Sequence, residues 1–521
     1  MSHPAKKSKL DDTDTSTELL APLQPRTLTA QDACLHNLDL LETILSSVAA
    51  LDAPKKTIRA VALTCKGFYP SAVKVLWATL TNILPLPVVR LLPGLELPLH
   101  GREEYILPGF ISASEWAVFD RHAAYVREIE YPDLTNFKRV IPPAVYARLA
   151  LREQPLLPNM RRLTVNLPCQ DMEMLLCLTS VTTSLTVRLS SHTGQKEKFL
   201  EVVSERTPQL SHLSLTGHNV ALFSMPRLFQ NLRTLELRNA CSSLTAAVLV
   251  DIGSIPQLTS LTMDTYNWTV DFDSIRCHSI LCALTSLKII YVSKRPQCTI
   301  CDILLCIGAP AMQCITIVPL RNCIQVEGQD GRTAFAAIVE CIRLRWAASL
   351  IRLDLHNASA SCDDLSALRS LKLSKLRKLS LRSVIGSPLS DERVLALVQS
   401  FVNLRTLSLT GGGNADIVFL QAVAQRCPAL RTLYVPFFPD ARLPDVPRTR
   451  VRAHGLRKLQ FEHANHEWAN VDLQLLARHV YRLFPRITSI TGTGGGDMAR
   501  IKEVQNMVQI CQDARSIEWE Q

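Results

Sequence analysis

The chain has 521 residues, of which 47% are hydrophobic and 20% are charged, and its formal net charge is +10 at pH 7. One ordinary core cannot organise a chain of this length, so we expect several domains or a repeat architecture. No apolar run reaches the ~20 residues of a membrane helix, and residues 1–30 lack the apolar core of a secretory signal. The sequence therefore predicts no membrane partner, and it predicts reduced cysteines in the cytoplasm, the nucleus or both.

The first 30 residues are expected to form a disordered tail, in which the basic run Lys6-Lys7-Ser8-Lys9 precedes acidic residues. The next segment, residues 31–82, carries three short patterns with apolar residues at three- and four-residue spacing. Pro54 and Pro70 separate these patterns. They predict a compact unit of three helices whose remaining apolar surface would suit a partner. The alternative is a helical cap that shields the end of a repeat array.

The three helical patterns carry motifs that resemble an F-box. Leu38-Asp39-Leu40-Leu41-Glu42-Thr43-Ile44-Leu45 matches the first helix of that family, Ala62–Phe68 the second, and Val75-Leu76-Trp77 the third. Asn37 stands where the family has Pro. The resemblance implies that this F-box-like module binds a Skp-family adaptor of a cullin ubiquitin ligase. The adaptor-binding residues that it implies are Leu38, Leu40, Leu41, Ile44, Leu45, Cys65, Phe68, Leu76 and Trp77.

Residues 83–125 begin with a segment rich in proline, as in Leu84-Pro85-Leu86-Pro87, and are expected to form a linker and an amino-terminal cap. Trp116-x-x-Phe119 and the run from Tyr125 to Ile129 lead from this segment into the first repeat. A proline-studded connection of this kind resembles that of many fungal F-box proteins.

The motif Leu-x-x-Leu-x-Leu, with conservative swaps, recurs between residues 126 and 492. From residue 213 onward its middle positions are mostly 26 or 28 residues apart, at 213, 235, 261, 287, 315, 353, 379, 407, 433 and 459. Each motif predicts a short strand with alternate residues in a core, and helical patterns such as 196–206 and 472–483 fill the gaps. One such unit cannot bury its apolar face alone, so the units must stack.

These repeats resemble the leucine-rich-repeat family, which implies an α/β solenoid: a horseshoe with a parallel sheet. We expect the solenoid to span residues 126–492, behind the three-helix F-box-like module, and a carboxy-terminal helical cap to span residues 493–521. The step from 315 to 353 is longer than the others and predicts an insertion near residues 320–332. We interpret that insertion as a surface loop.

Residues between the core positions of each strand are expected to point to the concave side of the horseshoe. Neighbouring strands lie ~5 Å apart, so Arg352, Lys378 and Arg382 should be within reach of one another and could grip an acidic or phosphorylated segment. The alternative is a solvated surface that Asp354 partly neutralises. Tyr434 is the one exposed aromatic anchor that the pattern supplies. The predicted substrate-binding residues are Arg352, Asp354, Lys378, Arg382, Tyr434 and Lys458.

Three other motifs have both a functional and a plainer interpretation. Cys298-Thr-Ile-Cys301 could be half of a zinc site, but it lacks a second ligand pair, and we interpret these cysteines as thiols. Gly492–Gly496 lies between a strand and a helix without the spacing of a phosphate loop, and we interpret it as a connection. The basic stretch 442–458 has no interleaved aromatic residues, which favours a solvated loop over nucleic-acid binding.

No HExxH, GxSxG or Gly-Lys-Ser/Thr signature occurs, so we predict no enzyme, no catalytic residue, no cofactor and no metal. The predicted function is the substrate-recognition subunit of a cullin-based ubiquitin ligase, in which the module binds the adaptor and the repeats bind a target protein. The alternative is a repeat scaffold or inhibitor that holds a protein without recruiting a ligase. A nucleotide-binding enzyme that uses Gly492–Gly496 is a third hypothesis.

Overall fold

The structure, a computed structural model, describes the greater part of the chain. The described residues are 37–49, 54–81, 91–92, 107, 111–131, 143–169, 172–189, 196–217, 228–238, 246–264, 280–291, 296–319, 330–356, 368–369, 373–382, 392–400, 402–410, 415–437, 454–462, 472–493 and 498–520. They fall into two compact units, which divide between Ala78 and Thr79. The first unit consists of helices, and the second is built on a sheet.

The described residues of the amino-terminal unit form three helices, each of which buries one apolar side. They are α1 (Leu38–Ala49), α2 (Pro54–Thr64) and α3 (Tyr69–Ala78). Apolar residues at three- and four-residue spacing meet between them, as amphipathic helices require. The core that results contains Leu45, Ile58, Ala62 and Ala72.

Polar side chains fix where α1 begins and how it is joined to α3. The side-chain oxygen of Asn37 accepts the backbone N–H groups of Asp39 and Leu40 at 3.1 and 3.2 Å. Asn is one of the favoured residues at a helix start, and such a cap contributes about 1 kcal/mol. Lys74 of α3 forms an ion pair with Glu42 of α1 at 2.6 Å. Asn37 therefore starts the helix by a side-chain hydrogen bond that Pro could not provide.

The second unit is built on one sheet of fifteen parallel strands, in which each strand lies beside the next one along the chain. Because the order contains no crossover, each repeat adds one strand to the growing edge. The strands are β1 (Thr79–Leu80), β2 (Glu128–Tyr131), β3 (Arg162–Cys169), β4 (Ser184–Leu189), β5 (His212–Thr216), β6 (Thr234–Arg238), β7 (Ser260–Asp264), β8 (Ser286–Tyr291), β9 (Cys314–Pro319), β10 (Arg352–His356), β11 (Lys378–Arg382), β12 (Thr406–Thr410), β13 (Thr432–Pro436), β14 (Lys458–Glu462) and β15 (Ser489–Thr493).

Helices connect many of these strands. Two of them begin directly after an aspartate, Asp416 and Asp472, and the side chain of each accepts a backbone N–H of the first turn. The predicted helix 472–483 therefore begins one residue later than the sequence pattern indicates. The helices are α4 (Ala113–Ala123), α5 (Pro143–Ala150), α6 (Lys196–Arg206), α7 (Ala246–Gly253), α8 (Pro296–Cys306), α9 (Asp330–Trp346), α10 (Glu392–Gln399), α11 (Ile417–Arg426), α12 (Leu473–Leu483) and α13 (Met498–Glu520), with a 3₁₀ turn at Met172–Cys177.

The leucines of the repeat motif form ladders across the sheet. Leu353 lies level with Leu379, Leu379 with Leu407, and Leu407 with Leu433. None of the four is more than 1% exposed. Full burial of a leucine side chain contributes roughly 1.5–3 kcal/mol, so a ladder of this kind is the main stabilising element of the stack. The parallel sheet in this register confirms the predicted α/β solenoid of the leucine-rich-repeat type.

The long repeat contains a helix where the sequence predicts the end of a surface loop. α9 begins at Asp330, so the last three residues of the predicted loop are helical, while residues 320–329 lie outside the described part of the chain. Trp346, at the end of α9, is 1% exposed and donates its indole N–H to the carbonyl of Ala309 at 2.7 Å. This buried anchor holds the end of α9 against the segment that precedes β9.

Each end of the sheet involves a segment that the sequence assigns elsewhere or to a cap. Thr79 and Leu80, which the sequence groups with the helical module, pair with Glu128 and Ile129 of β2. At the other end, α13 packs against α12 and β15. The predicted tail and residues 82–90 of the module and linker lie outside the described residues. Of the helices that the structure describes, none has the length and apolar character that crossing a membrane requires.

Candidate functional site

Helix α1 has an apolar stripe that its own core does not cover. Leu38, Leu40 and Ile44 are 53%, 44% and 55% exposed, whereas Leu41 and Leu45 are 6% and 4% exposed. Leu40 and Ile44 lie one turn apart and form this stripe, whereas Leu38, the first residue of the helix, is exposed on the side of Leu41 and Leu45. Of the five predicted adaptor-binding residues on this helix, three are therefore accessible to a partner and two lie in the core of the unit.

The other predicted adaptor-binding residues lie where α2 meets α3 and on α3 itself. Cys65 is exposed. The remaining three are half-buried: Phe68, Leu76 and Trp77. Sequence reasoning missed two outward apolar residues of the same unit, Leu63 at 76% exposure and Tyr69 at 53%. Their spacing resembles that of core residues, so no sequence signal distinguished them.

The sheet has a face that its buried leucines do not use. We call it the open face and define it as the first, third and fifth residues of strands β2–β15. Many third residues carry small hydroxyl side chains that are covered by their neighbours, with exposed fractions between 3% and 8% for Ser214, Thr262, Ser380 and Ser408. Long charged side chains in the first and fifth positions are therefore what a partner would meet.

The register separates the three basic residues that the sequence predicts to converge. Lys378 lies level with Arg352. Arg382 lies level with His356, four residues further along β11. Asp354 holds Arg352, since its carboxylate accepts the Nε–H at 2.6 Å and the Nη2–H at 2.5 Å. Within the part of the chain that the structure describes, neither Lys378 nor Arg382 forms an ion pair.

Asp354 occupies the middle of this region and is 3% exposed. Besides the bonds to Arg352, its Oδ2 accepts the hydroxyl of Thr316 at 3.5 Å. Its Oδ1 is buried and has no hydrogen-bond partner among the described residues. A buried polar atom without a partner costs about 1–3 kcal/mol, and more when it is charged. This oxygen is therefore an acceptor without a donor, on the face that we consider for binding.

His356 lies in positive surroundings. Burial, followed by the adjacent Arg382, lowers the pKa of His356 to about 4. Lys288 and Arg352 act in the same direction, and Asp354 opposes them. The imidazole is therefore neutral at pH 7 and can donate one N–H. Sequence reasoning missed Lys288, although its position as the third residue of β8 was an available signal.

Tyr434 and Lys458 lie on the neighbouring strands β13 and β14. The Nζ of Lys458 is 5.7 Å from the centre of the Tyr434 ring, within the range of a cation–π contact. The aromatic anchor predicted from the sequence is thus half-buried beneath a cation. The two residues form one contact two strands away from β11, so the six predicted substrate-binding residues lie in two groups.

A second basic feature precedes four successive strands. Each of its arginines is exposed, and from the second onward each backbone N–H donates to the carbonyl of the preceding arginine at 2.8 Å. We call this set the arginine ladder: Arg377, Arg405, Arg431 and Arg457. Sequence reasoning missed it because only core and face positions were considered, although Leu-Arg-x-Leu begins four consecutive motifs.

The cysteine motif has a different partner from the one that a zinc site requires. The thiol of Cys301 on α8 is hydrogen-bonded to that of Cys341 on α9, and this bond, helped by Arg345, lowers the pKa of Cys341 to about 7 against the effect of burial. No group of three or more His, Cys, Asp or Glu side chains suited to a metal ion occurs among the described residues. Gly494–Gly496 and residues 442–452 of the basic stretch lie outside the described part of the chain.

Comparison with known proteins adds only general likeness. No protein-family model matches the chain, and no curated protein sequence matches it. A chain of the yeast Rad7–Elc1 complex is similar, with 13% identity, a TM-score of 0.39, and 62% of this chain and 78% of that chain covered. An internalin of Listeria monocytogenes has 13% identity and a TM-score of 0.33, with 70% and 87% covered. The leucine-rich-repeat protein LegL7 of Legionella pneumophila has 15% identity and a TM-score of 0.34, with 67% and 96% covered.

Proposed function

We propose that the chain is the substrate-recognition subunit of a cullin-based ubiquitin ligase. In this proposal the amino-terminal unit binds a Skp-family adaptor, and the repeats bind a target protein. The observation that carries the proposal is the outward apolar stripe of α1, formed by Leu40 and Ile44, together with Leu38, which is exposed at the start of the same helix, in a segment that resembles an F-box. Clustered large apolar side chains on a surface mark an interaction site.

The stripe supports docking on energetic grounds. Full burial of a leucine or isoleucine contributes roughly 1.5–3 kcal/mol, and these three side chains are each about half exposed. Covering all three would therefore contribute a few kcal/mol, to which Leu63 and Tyr69 add apolar area on the same unit. Leu41 and Leu45 take part indirectly in the proposal, because they hold the helix from inside. Cys65, Phe68, Leu76 and Trp77 remain adaptor-binding residues of the proposal.

The repeats supply the target-binding half of the proposal. A stack of parallel strands presents a long surface in fixed register, which suits a protein segment that crosses several repeats. The open face between β8 and β14 carries more basic than acidic side chains, so it favours a target segment with negative charge. Tyr434 beneath Lys458 would contribute an aromatic contact at one end of that surface.

One observation favours a second candidate, a repeat scaffold or inhibitor that recruits no ligase. The F-box family has Pro where this chain has Asn37, and Asn37 starts α1 by hydrogen bonds from its side chain. The helix therefore begins by a different device from the one that the family motif provides. In this second candidate the three helices serve only as a cap for the repeats.

The test is a binding measurement with a purified Skp-family adaptor. We expect the double variant Leu40→Asp with Ile44→Asp to bind the adaptor at least a hundredfold more weakly than the unchanged chain, because two apolar contacts become buried charges. Both residues are exposed, so the helical unit should keep its fold, which circular dichroism checks. Titration calorimetry gives the dissociation constants.

A matched control places the same two charges on the repeats. Val402 and Val418 are 62% and 48% exposed, and changing both to Asp should leave adaptor binding within twofold. Equal binding by the α1 variant and the unchanged chain would refute the proposed docking stripe. An unchanged chain that binds no adaptor at all would leave the scaffold as the better candidate.

A further inference from the structure

Two cations flank His356 on the open face without an ion pair to any described residue. Arg382 is its direct neighbour on β11. Lys288 lies two strands away on β8, in the row that continues through Thr316 to Asp354. Lys288 is offset from His356 by two strand spacings and by two residues along the strand, about 12 Å between the backbones, and Arg382 is one spacing away on the other side. Their long side chains can reach over the ring from both sides. The space above the imidazole is therefore bordered by positive charge.

Neither cation forms an ion pair with a described residue. The nearby carboxylate of Asp354 already binds Arg352 at 2.5 and 2.6 Å. His356 itself stays neutral at pH 7, because burial and the adjacent cations keep its pKa at about 4. An anion above the ring would meet Lys288 and Arg382 and could accept the imidazole N–H. Hydrogen bonds between charged partners are shorter and stronger than those between neutral groups.

A second, independent observation comes from the buried Oδ1 of Asp354, which accepts no hydrogen bond from the described residues. The ligand should therefore bring a donor as well as an anion. Asp354 and His356 are two residues apart on β10, or about 7 Å. A peptide residue with an anionic side chain spans this distance, with its backbone N–H at one end and its anion at the other.

The number of cations decides which anion suits the site. A carboxylate carries one charge, whereas a phosphate monoester carries about −1.5 to −2 at pH 7 and has three acceptor oxygens. Lys288 and Arg382 approach from different strands, and the imidazole adds a third donor from below. A phosphate can engage all three groups at once, and a carboxylate cannot balance both cations.

We infer that the open face contains a subsite for a phosphorylated serine or threonine of an extended peptide. The phosphate lies over His356 between Lys288 and Arg382, and the backbone N–H of the same residue donates to Oδ1 of Asp354. The inference rests on the proposed function only in taking the peptide to be part of the target protein. Lys378, level with Arg352, lies outside this subsite.

The experiment follows the ring of His356 by nuclear magnetic resonance in the full chain with labelled histidine, the signal being assigned with His356→Gln. The probe is the synthetic peptide acetyl-Gly-phosphoserine-Gly-amide. We expect it to bind at least tenfold more tightly than the same peptide with Glu or unmodified Ser, and to raise the pKa of His356, since an adjacent anion favours the protonated ring. Lys288→Gln with Arg382→Gln should weaken binding at least tenfold.

The control pair removes two exposed charges from β3 and β6 of the same face, by Arg162→Gln with Arg238→Gln, and should change binding less than twofold. Equal weakening by this pair would overturn the inference, as would equal binding of the Glu peptide. Inorganic phosphate that binds as tightly as the peptide would overturn the assigned role of Asp354. Adaptor binding is measured on the same variants: a chain that binds the phosphoserine peptide but no adaptor keeps the subsite and loses the proposed ligase function.

Discussion

The open face has two halves that share a backbone and differ in charge. From β2 to β7, basic and acidic residues are nearly balanced and pair locally, Arg162 with Glu128 at 3.4 Å and Arg238 with Glu236 at 3.2 Å. From β8 to β14, basic residues exceed acidic ones. The first half carries Arg162, Arg188 and Arg238 against Glu128, Glu130, Glu236 and Asp264; the second carries Lys288, Arg352, Lys378, Arg382 and Lys458 against Asp354 and Glu462.

The residues that build the repeat are therefore different from the residues that a partner would contact. The core leucines of both halves are buried to a similar degree, and the strands of both halves pair in parallel, although β3 shifts its register against β4 between Val165 and Pro168. Only a few open-face positions differ, and they decide whether the surface is neutral or positive. A partner with negative charge is therefore favoured over the second half alone.

The largest effect that we expect tests whether the two halves share one core. Leu235 in β6 and Leu353 in β10 are both fully buried. Changing either to Ala should lower the free energy of unfolding by about 2–5 kcal/mol, because each leaves a cavity in the ladder. Chemical denaturation measures both. A loss below 1 kcal/mol at only one position would show that the cores of the two halves are packed differently. The halves would then differ in packing as well as in charge.

The sequence was sufficient to predict the strands and their core, because stacked parallel strands repeat one apolar pattern at a nearly constant spacing. Leu353, Leu379 and Leu407 therefore follow from the spacing alone. The rows of the open face did not follow from it. That Arg382 lies level with His356, and that Lys288 lies in the row of Asp354, depends on the register of β8 through β11. These strands include β9 and β10, which are joined by the long repeat.

The helical unit shows a second limit of sequence reasoning. The apolar spacing predicts three helices, yet it does not say which apolar residues face outward. Leu38 and Ile44 are exposed whereas Leu41 and Leu45 are buried, and all four fit an amphipathic pattern. From the resemblance to an F-box, all four are expected to contact the adaptor. Packing of α1 against α2 and α3 leaves two of them exposed and two buried, and only the tertiary structure shows which.

One ion pair from each half of the open face gives the next largest expected effect. Asp354 is 3% exposed, so Asp354→Asn should lower the free energy of unfolding by about 1.5–3 kcal/mol, the usual contribution of a hydrogen bond to a charged group. Glu236→Gln removes a partly exposed partner of Arg238 and should cost less than about 1 kcal/mol. Denaturation with and without 0.5 M salt, about the concentration that screens exposed pairs, distinguishes them. Suppose that both variants lose the same free energy of unfolding at low salt and that neither loses any at 0.5 M. The buried and the exposed ion pair would then contribute equally, against this prediction.

The pH dependence of the free energy of unfolding tests the charge of each half through one histidine. His356 lies in the second half, and His212 lies in the first. The pKa of His356 falls from 6.5 to about 4 on folding, so the folded chain binds fewer protons than the unfolded chain. The corresponding stability is complete above pH 6.5 and is lost as the pH falls from 6.5 toward 4. We expect this loss to be about 1 kcal/mol, once screening at a half-exposed site is allowed for.

His212 on β5 provides the comparison in the other half. Burial is the main cause that lowers its pKa, and Glu236 opposes this effect. We therefore expect a smaller acid-dependent loss from His212 than from His356. Unfolding free energies between pH 7 and 4.5 are measured for the unchanged chain, His356→Gln and His212→Gln. His356→Gln should flatten the pH dependence more than His212→Gln does, and the reverse order would contradict the positive field assigned to β8–β11.

The smallest expected effect concerns the arginine ladder. It tests whether repulsion between neighbouring positive charges lowers the free energy of unfolding. Arg431 lies between Arg405 and Arg457 at the spacing of adjacent strands, and like charges directly across a sheet destabilise it by roughly 0.2–1 kcal/mol. Arg431→Gln should therefore raise the free energy of unfolding by a few tenths of a kcal/mol at low salt, and by less at 0.5 M, where screening is nearly complete within about 5 Å. Arg233 occupies the same position in the first half between Ser211 and Thr259, so Arg233→Gln removes a charge without like neighbours and should have no such effect. If both substitutions raise the free energy of unfolding, the effect comes from the introduced glutamine. If only Arg431→Gln raises it, repulsion between neighbouring arginines destabilises the second half in the absence of an anionic partner.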